Sequence, residues 1–383
     1  MRGGRVRRGD SSRPIVIIEP DSDGHRLMYV ARVVEACAAE AVPVRLVLTR
    51  SGAASAEFGQ FLASLQGSFE RCTVPDVDGG PGVARLAREM GGGGRCLILD
   101  GDRYLTELVR HRPPPGTVVL LMRARMQGLR GIAAVALKAL LAGFLVLVCR
   151  VRVFRLSGTS TGADASPLLR WLPFVTDPSP VPRSVAAGRP AGIAGLPDRY
   201  VLVAGKIDGR KSIAHLLDWA AATRHEGLGL VLAGRVSAEV RTALDRGAET
   251  YGGLPANVTV VDRFILDEEL VAVYAGATAV ACLYENEGPG GAVTFAKLSG
   301  RPVIAWGSRQ LAAQAGEAGL LVPCVDRTPV AIDAALDLAL VLLAEAAAGP
   351  GGQAPAAVVA AAAEEAFAGP MLGVARPRRV GRS

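Results

Sequence analysis

A glycine-rich turn that follows acidic residues is prominent in the second half of the chain. Residues 284–306 read YENEGPGGAVTFAKLSGRPVIAW, in which an apolar strand pattern ends and a helical pattern begins. Gly288, Gly290 and Gly291 allow the backbone to approach a ligand closely, and unpaired amides at a helix start favour phosphate. The carboxylate of Glu287 can accept paired hydrogen bonds from sugar hydroxyls. An ordinary strand-to-helix turn with a solvated glutamate is the alternative interpretation.

A basic turn follows the first predicted strand of the same half. Residues 205–212 read GKIDGRKS and place Lys206, Arg210 and Lys211 where their charges could neutralise a diphosphate. The string resembles the P-loop pattern G-x-x-x-x-G-K-[ST], but Arg210 occupies the second glycine position, which disfavours a P-loop nucleotide triphosphatase. A solvated basic turn is the alternative.

Two loops of the first half carry polar residues after apolar runs. Residues 19–27, EPDSDGHRL, place Gly24 and His25 in a turn that suits either a ligand contact or a capped helix start. Asp100 and Asp102 follow another apolar run and could hold a divalent metal, although such turns are also common without one. An H-E-x-x-H zinc motif does not occur in the chain.

The elements that must position these residues alternate between short apolar runs and helical periodicity. Strands of the first half are predicted at 15–18, 44–48, 96–99, 117–121 and 151–155, with helices over 26–39 and 56–66. Strands of the second half are predicted at 200–204, 229–233, 258–261, 278–283, 302–305 and 319–322. We therefore expect an α/β protein with two doubly wound Rossmann-like domains that face a central cleft.

Residues 157–198 are rich in Ser, Gly and Pro and lack a long periodic segment, which predicts a linker. The N-terminal domain is then 1–156 and the C-terminal domain 199–343. An Ala-rich helix and a basic tail follow over 344–383. We expect the ligand site in the cleft between the two domains.

The composition indicates a globular protein, with 50% hydrophobic and 21% charged residues in a chain of 383. Much of the net charge of +7 comes from residues 1–9 and 375–383, and aromatic residues are only 5%, so we do not expect a nucleic-acid-binding face. The basic tails suit contact with an anionic membrane instead. Six widely spaced cysteines predict reduced thiols and a cytoplasmic protein, and the short apolar run after the basic N-terminus predicts no signal peptide.

Residues 132–149, IAAVALKALLAGFLVLVC, raise a separate question about membranes. Lys138 is the only charge in this stretch, and its length is near the lower limit for a spanning helix. Gly143 and the β-rich sequence after it favour a helix that runs into a buried strand. A buried helix, a helix resting on a membrane and a spanning helix are all compatible with the sequence.

The second half resembles the donor-binding domain of retaining GT-B-fold glycosyltransferases, the group that includes glycogen and sucrose synthases. The family motif G-R-L-x-x-x-K-G corresponds to GKIDGRKS, and a family strand that ends in glycine corresponds to LVLAG, which ends at Gly234. Residues 258–282 resemble the stretch near the nucleotide base. The family pattern E-G-F-G-L-P-x-L-E-A-M-A-x-G-x-P-V-I-A corresponds to EGPGGAVTFAKLSGRPVIA, which begins at Glu287.

This resemblance implies a set of contacts with a nucleotide-sugar donor. The implied groups are Glu287 as the catalytic residue at the sugar; Lys206, Lys211, Gly290 and Gly291 at the diphosphate; Phe264 and Ile265 at the base; and Gly24 and His25 as a loop from the other domain. One departure is Phe295, which stands where the family has a second glutamate that holds the ribose.

The expected activity is transfer of a hexosyl group from a UDP- or GDP-linked sugar to an unknown acceptor, which the family places in the N-terminal domain. The acceptor is a glycan, a lipid-linked molecule or a small molecule. The resemblance implies retention, no cofactor besides the donor substrate and no essential metal. We expect a cytoplasmic protein, with peripheral contact at the inner face of the membrane left open. A non-catalytic GT-B-like protein with a binding or scaffold role is the alternative, because Phe295 removes an expected ligand.

Overall fold

The computed structural model describes residues 13–21, 26–75, 82–91, 95–123, 128–178, 193–284, 291–348 and 367–373. Glu287, Gly288, Gly290, Gly24 and His25 lie outside these described residues. Within them the chain forms two parallel β-sheets covered by helices.

The first sheet has seven strands in the order β3-β2-β1-β4-β5-β6-β7. Its strands are β1 (Ile15–Ile18), β2 (Val44–Thr49), β3 (Glu70–Val74), β4 (Cys96–Ile98), β5 (Val118–Leu121), β6 (Arg152–Ser157) and β7 (Phe174–Thr176). Its helices are α1 (Arg26–Ala39), α2 (Arg50–Ala53), α3 (Ala56–Phe61), α4 (Val83–Gly91), α5 (Gly101–His111) and α6 (Gly128–Leu147). Short 3-10 turns occupy Ala63–Ser68 and Pro167–Leu169.

The second sheet has six strands in the order β10-β9-β8-β11-β12-β13. Its strands are β8 (Tyr200–Ala204), β9 (Gly229–Ala233), β10 (Val258–Val261), β11 (Ala279–Leu283), β12 (Val303–Trp306) and β13 (Leu321–Pro323). Its helices are α7 (Ile213–Ala222), α8 (Ala238–Tyr251), α9 (Asp267–Gly276), α10 (Gly291–Leu298), α11 (Arg309–Glu317) and α12 (Pro329–Ala348). A 3-10 turn at Gly209–Lys211 precedes α7.

Both sheets follow the same doubly wound order, in which the chain reverses direction of winding beside the first strand. The reversal lies between β1 and β4 in the first sheet and between β8 and β11 in the second. In open α/β sheets, ligands bind beyond the carboxyl ends of the strands at such a reversal. The predicted fold of two Rossmann-like domains is confirmed. The topology also makes the carboxyl edge at each reversal a candidate ligand site.

The sequence patterns missed two strands of the first sheet. β3 (Glu70–Val74) is an edge strand with exposed polar residues, so it lacks the apolar run that marks an interior strand. β7 (Phe174–Thr176) has only three residues and pairs with β6. Because β7 falls within 157–198, the first sheet extends into the segment that was predicted as a linker.

The helix α6 also differs from the expected pattern. Gly143 was expected to end it, but the helix continues to Leu147. Val135, Ala142 and Leu145 pack into the core beneath the first sheet, and this tertiary packing outweighs the low helix propensity of one glycine.

Several contacts join the two sheets. Arg235, after β9, forms an ion pair of 2.8 Å with Glu57 on α3. Gln310 on α11 donates a hydrogen bond of 2.8 Å to Asp164, which follows β6. The backbone amide of Ser160 also donates to Glu317 at the end of α11, at 3.1 Å. These polar contacts bring loops of the first sheet against loops and a helix of the second.

Candidate active site

Lys211 lies at the reversal point of the second sheet. Its ammonium group donates a hydrogen bond to the carbonyl oxygen of Ala204, the last residue of β8, and stands 5.5 Å from the ring centroid of Tyr284, after β11. Burial lowers the pKa of this lysine to about 8. A buried cation with a lowered pKa is costly in a structural role, and an anionic ligand would stabilise its charged form.

The residue after Lys211 connects β8 to β11. Ser212 adopts a left-handed backbone conformation, with φ 52°, and its hydroxyl donates to the carbonyl oxygen of Leu283 at 2.7 Å. This bond attaches the start of α7 to the end of β11. Lys211 is therefore held between the two strands that flank the reversal, where a ligand is expected.

The other two cations of the basic turn have different surroundings. Arg210 is held by Asp208, which accepts hydrogen bonds from its guanidinium at 3.0 and 2.6 Å. Lys206 is exposed directly after β8. The three cations share one edge of the sheet, but Lys211 alone among them is buried.

Two glycines allow the loops after β8 and β9 to touch. Gly234 has φ +142°, and a Cβ atom added there would lie 1.8 Å from the carbonyl oxygen of Gly205. Gly205 itself has φ +88° and donates its amide to Ala233 at 2.9 Å. Only a residue without a side chain fits at position 234, because the opposing atoms belong to the backbone.

The residues expected at the nucleotide base lie in the loop between β10 and α9. The ring of Phe264 is half-buried, and the guanidinium of Arg235 lies over it with its carbon 5.1 Å from the centroid. The side chain of Ile265 is buried in the core with Leu270 and Val273. A base at this position would therefore meet the Arg235–Phe264 pair and the backbone of Ile265, with the Ile265 side chain beneath.

Arg235 and Arg327 also lie at this edge, although the sequence motifs did not predict them. The guanidinium of Arg327, after β13, lies 4.2 Å from the ring centroid of Trp306 and donates to the hydroxyl of Ser212 at 3.2 Å. Neither arginine belongs to a local motif, so only the pairing of strands brings them to this edge. An arginine directly after an apolar strand is the one signal that marks Arg235 in the sequence.

Phe295 is a core residue of α10. Its ring stacks on Tyr274, with centroids 5.2 Å apart, and it is fully buried. A glutamate at this position would place a carboxylate in an apolar cluster, which is unfavourable without a partner. Position 295 therefore contributes to packing in this chain, whereas Gly291 begins the helix that follows the glycine-rich turn.

A second polar cluster occupies the reversal point of the first sheet. Glu19 follows β1, Asp100 follows β4, and Arg26 begins α1 between them, with its Nε 2.9 Å from the Asp100 carboxylate. The Oε1 of Glu19 accepts a hydrogen bond of 3.3 Å from the Asp21 amide, and its Oε2 is buried without a partner among the described residues. Burial raises the pKa of Glu19 to about 8.

Replacement of Glu19 by glutamine is expected to stabilise the protein at about pH 8.5 but not at about pH 5. The pKa of Glu19 is raised from 4.5 to about 8 on folding, so its contribution is complete below 4.5 and is lost as the pH rises toward 8. Glutamine resembles the protonated form at every pH, and we expect a gain on the order of 2 kcal/mol at the higher pH. Urea unfolding at both pH values measures this gain.

Glu89→Gln on the exposed face of α4 is the matched control and should change the unfolding free energy little at either pH. An equal effect of Glu19→Gln at the two pH values would contradict the raised pKa.

Asp100 and Asp102 do not share a partner. Asp100 pairs with Arg26, whereas Asp102 accepts hydrogen bonds from Lys138 on α6 and, at 2.9 Å, from the Arg123 amide. Among the described residues, no group of three His, Cys, Asp or Glu side chains could hold a metal ion. Each of these two carboxylates therefore pairs with a cation of this chain.

Comparisons with known proteins agree with this geometry. Residues 198–339, which contain the whole edge around Lys211, match the model of the family described as glycosyl transferases group 1. The C-terminal domain is therefore similar in sequence to the group 1 glycosyl transferases. No match was found among curated protein sequences.

Solved structures extend the similarity to both domains of this chain. Anabaena Alr3699/HepE in complex with UDP and glucose is 13% identical, with a TM-score of 0.60 over 94% of this chain and 96% of that chain. An E. coli structure described as trehalose-6-phosphate bound with UDP-2-fluoro glucose is 12% identical, with a TM-score of 0.53 over 94% and 96%. AviGT4, a glycosyltransferase involved in avilamycin A biosynthesis, is 15% identical, with a TM-score of 0.50 over 94% and 98%. At these identities the comparisons show the GT-B fold.

Proposed function

We propose that this protein transfers a hexosyl group from a UDP- or GDP-linked sugar to an acceptor, with retention and without an essential metal or further cofactor. The match of residues 198–339 to group 1 glycosyl transferases carries this proposal. The buried lysine at the reversal of the second sheet supports it, because departure of a nucleoside diphosphate requires a fixed positive charge.

The donor would bind across the carboxyl edge of the second sheet. Lys211 and Lys206 would stabilise the charge that develops on the departing diphosphate, and the amides of Gly290 and Gly291 would add hydrogen bonds at the start of α10. The base would lie against the Arg235–Phe264 pair. Glu287 would orient the sugar.

The acceptor would lie at the first domain. Glu19 has a buried carboxylate oxygen without a described partner at the reversal of the first sheet, and Arg26 beside it supplies a cation. Such a site can donate to and accept from a hydroxyl group. The loop with Gly24 and His25 joins β1 to α1 next to Glu19 and would cover the donor from this side.

A non-catalytic scaffold explains the fold equally well, but it does not explain Lys211. Among the described residues Lys211 has no carboxylate within hydrogen-bond distance; burial of such a lysine opposes folding, and a ligand site gives a reason to retain it. We also propose a cytoplasmic location, since all six cysteines are free thiols.

Thermal unfolding with a panel of nucleotide sugars tests the proposal. A ligand at 100 times its dissociation constant stabilises the folded state by about 2.7 kcal/mol, so UDP or GDP, together with one of its sugar conjugates, should raise the melting temperature. Release of the nucleoside diphosphate in the presence of an acceptor should then be lost in Glu287→Ala. Absence of any shift at millimolar concentrations would contradict the enzyme proposal, and a shift without turnover would favour the scaffold.

A further inference from the structure

The helix α6 is apolar on both its buried and its exposed face. Leu129, Leu140 and Leu147 are 86%, 72% and 82% exposed, and at 100° per residue they lie along one line of the helix. Ile132 and Leu137 flank this line and are also exposed. The exposed apolar stripe, defined by these five residues, extends for about 27 Å. Soluble proteins rarely expose a continuous apolar surface of this size without a partner.

An exposed tryptophan follows a turn that packs against α6. The 3-10 turn Pro167–Leu169 packs against α6, and it is followed by Trp171, which is 48% exposed. The Trp171 indole donates its N–H to the carbonyl oxygen of Leu168 at 2.9 Å, and Leu168 is exposed as well. Tryptophan is enriched where a protein meets the boundary between lipid and water.

Exposed basic residues lie near both ends of the stripe. Between Glu107 and Asp164 the chain contains nine Lys and Arg residues and no acidic residue. Arg130 is exposed near the start of α6 and Arg150 just beyond its end. Arg112 lies at the same end, with its guanidinium carbon 5.8 Å from the Phe144 ring centroid. An apolar stripe with a basic rim suits an anionic surface that also has an apolar interior.

The structure argues against three other arrangements of this helix. Leu129–Leu147 is long and apolar enough to cross a membrane, but it connects β5 and β6, which pair with each other in one sheet. A symmetric dimer through the stripe would bring two basic rims together. The third arrangement is a stripe covered by the C-terminal segment. The described C-terminal residues 367–372 do not cover it, because they pack on the opposite face of the sheet, where the ring centroids of Phe367 and Tyr29 are 5.4 Å apart.

We propose that α6 is a membrane-surface helix, which lies along an anionic bilayer with its exposed apolar stripe and Trp171 in the interface and its basic rim at the lipid phosphates. The opposite face of α6 stays attached to the sheet, where Lys138 pairs with Asp102.

This placement has a consequence for the acceptor, and that consequence rests on the proposed transferase function. α6 begins after β5, at the carboxyl edge of the first sheet, which also carries Glu19 and Asp100. A bilayer along α6 would therefore lie next to the edge where the acceptor is expected. The acceptor class that fits is a hydroxyl-bearing head group anchored in the membrane by a lipid.

Flotation of the full chain with lipid vesicles tests the membrane proposal without any enzymatic readout. The wild type should bind vesicles of phosphatidylcholine and phosphatidylglycerol more strongly than phosphatidylcholine alone. The double variant Leu129→Glu, Leu140→Glu should bind the anionic vesicles at least about tenfold more weakly, because two leucines no longer enter the lipid interface and two negative charges are added. Leu338→Glu, at an exposed leucine on α12, is the control and should bind as the wild type does.

Leu129 and Leu140 are both on the surface. If the double variant nevertheless unfolds early, the single variant Leu140→Glu provides a second test. The Trp171→Phe variant, with α6 intact, should lose the blue shift of tryptophan emission that vesicles cause in the wild type.

Equal binding of wild type and the Leu variants would overturn the proposal, as would failure of the wild type to bind anionic vesicles. A dimer that the Leu variants dissociate, without vesicle binding, would assign the stripe to a second copy instead. Failure of nucleotide binding would leave this result unaffected and would contradict only the transferase function.

Discussion

Replacement of Lys211 by alanine is expected to weaken binding of UDP or GDP by about 10- to 100-fold, the range for loss of a charged hydrogen bond in a buried site. The reason is position: the ammonium group is buried between β8 and β11, at the edge where a diphosphate would arrive. Titration calorimetry with each diphosphate measures the affinity directly.

The wild type should also lose affinity as the pH rises above about 8. The pKa of Lys211 in the free protein is about 8, so the charged form predominates below that value and the neutral form above it. A diphosphate favours the charged form, and its binding must therefore weaken as the lysine loses its proton. Lys211→Ala should show little of this pH dependence.

Lys297→Ala is the control, since this lysine is exposed in the last turn of α10. It should bind both diphosphates as the wild type does. Equal affinities of wild type and Lys211→Ala, with both proteins folded by circular dichroism, would remove Lys211 from the donor site.

Replacement of Gly234 by alanine is expected to destabilise the C-terminal domain by about 3 kcal/mol or more. The new Cβ would lie 1.8 Å from the carbonyl oxygen of Gly205, and the backbone has φ +142°, which disfavours any side chain. The two loops cannot separate without loss of the bonds that continue the β8 and β9 pairing, such as Ile207 to Arg235 at 2.9 Å. Urea unfolding, monitored by circular dichroism, measures the change.

Gly252→Ala separates the two causes of this effect. Gly252 also has a positive φ, +70°, at the end of α8, but an added Cβ meets nothing within 4 Å. We expect a loss of about 1 kcal/mol there from backbone strain alone. Similar losses at positions 234 and 252 would show that contact with Gly205 is unimportant.

The sequence predicted much of the architecture because interior parallel strands are nearly continuous apolar runs. The predicted bounds of β1, β8, β9 and β10 agree with the structure, as do those of α1. The sequence pattern did not predict β3, because its polar edge residues form no apolar run. It also did not predict β7, which is too short to produce one.

Part of the candidate site was predictable for a related reason. Residues that follow apolar strands must lie at the carboxyl edge of a parallel sheet, so Lys206 and Lys211 could be named from their position in the chain. The burial of Lys211 could not, because it depends on Tyr284 and Ala204 lying around its ammonium group. Arg235 and Arg327 could not be grouped with it either, since they are distant in sequence.

The amino-acid sequence by itself determined the class of fold, the two-domain organisation and the motifs that resemble a nucleotide-sugar site. These properties depend on local periodicity and on short motifs, which are visible within one segment. Tertiary structure decided which charges remain unpaired and which apolar faces remain exposed. Asp102 is neutralised by Lys138, Glu19 keeps an oxygen without a described partner, and α6 shows leucines on its outer face. Those outcomes depend on packing between distant segments, because burial and pairing are properties of the assembled chain.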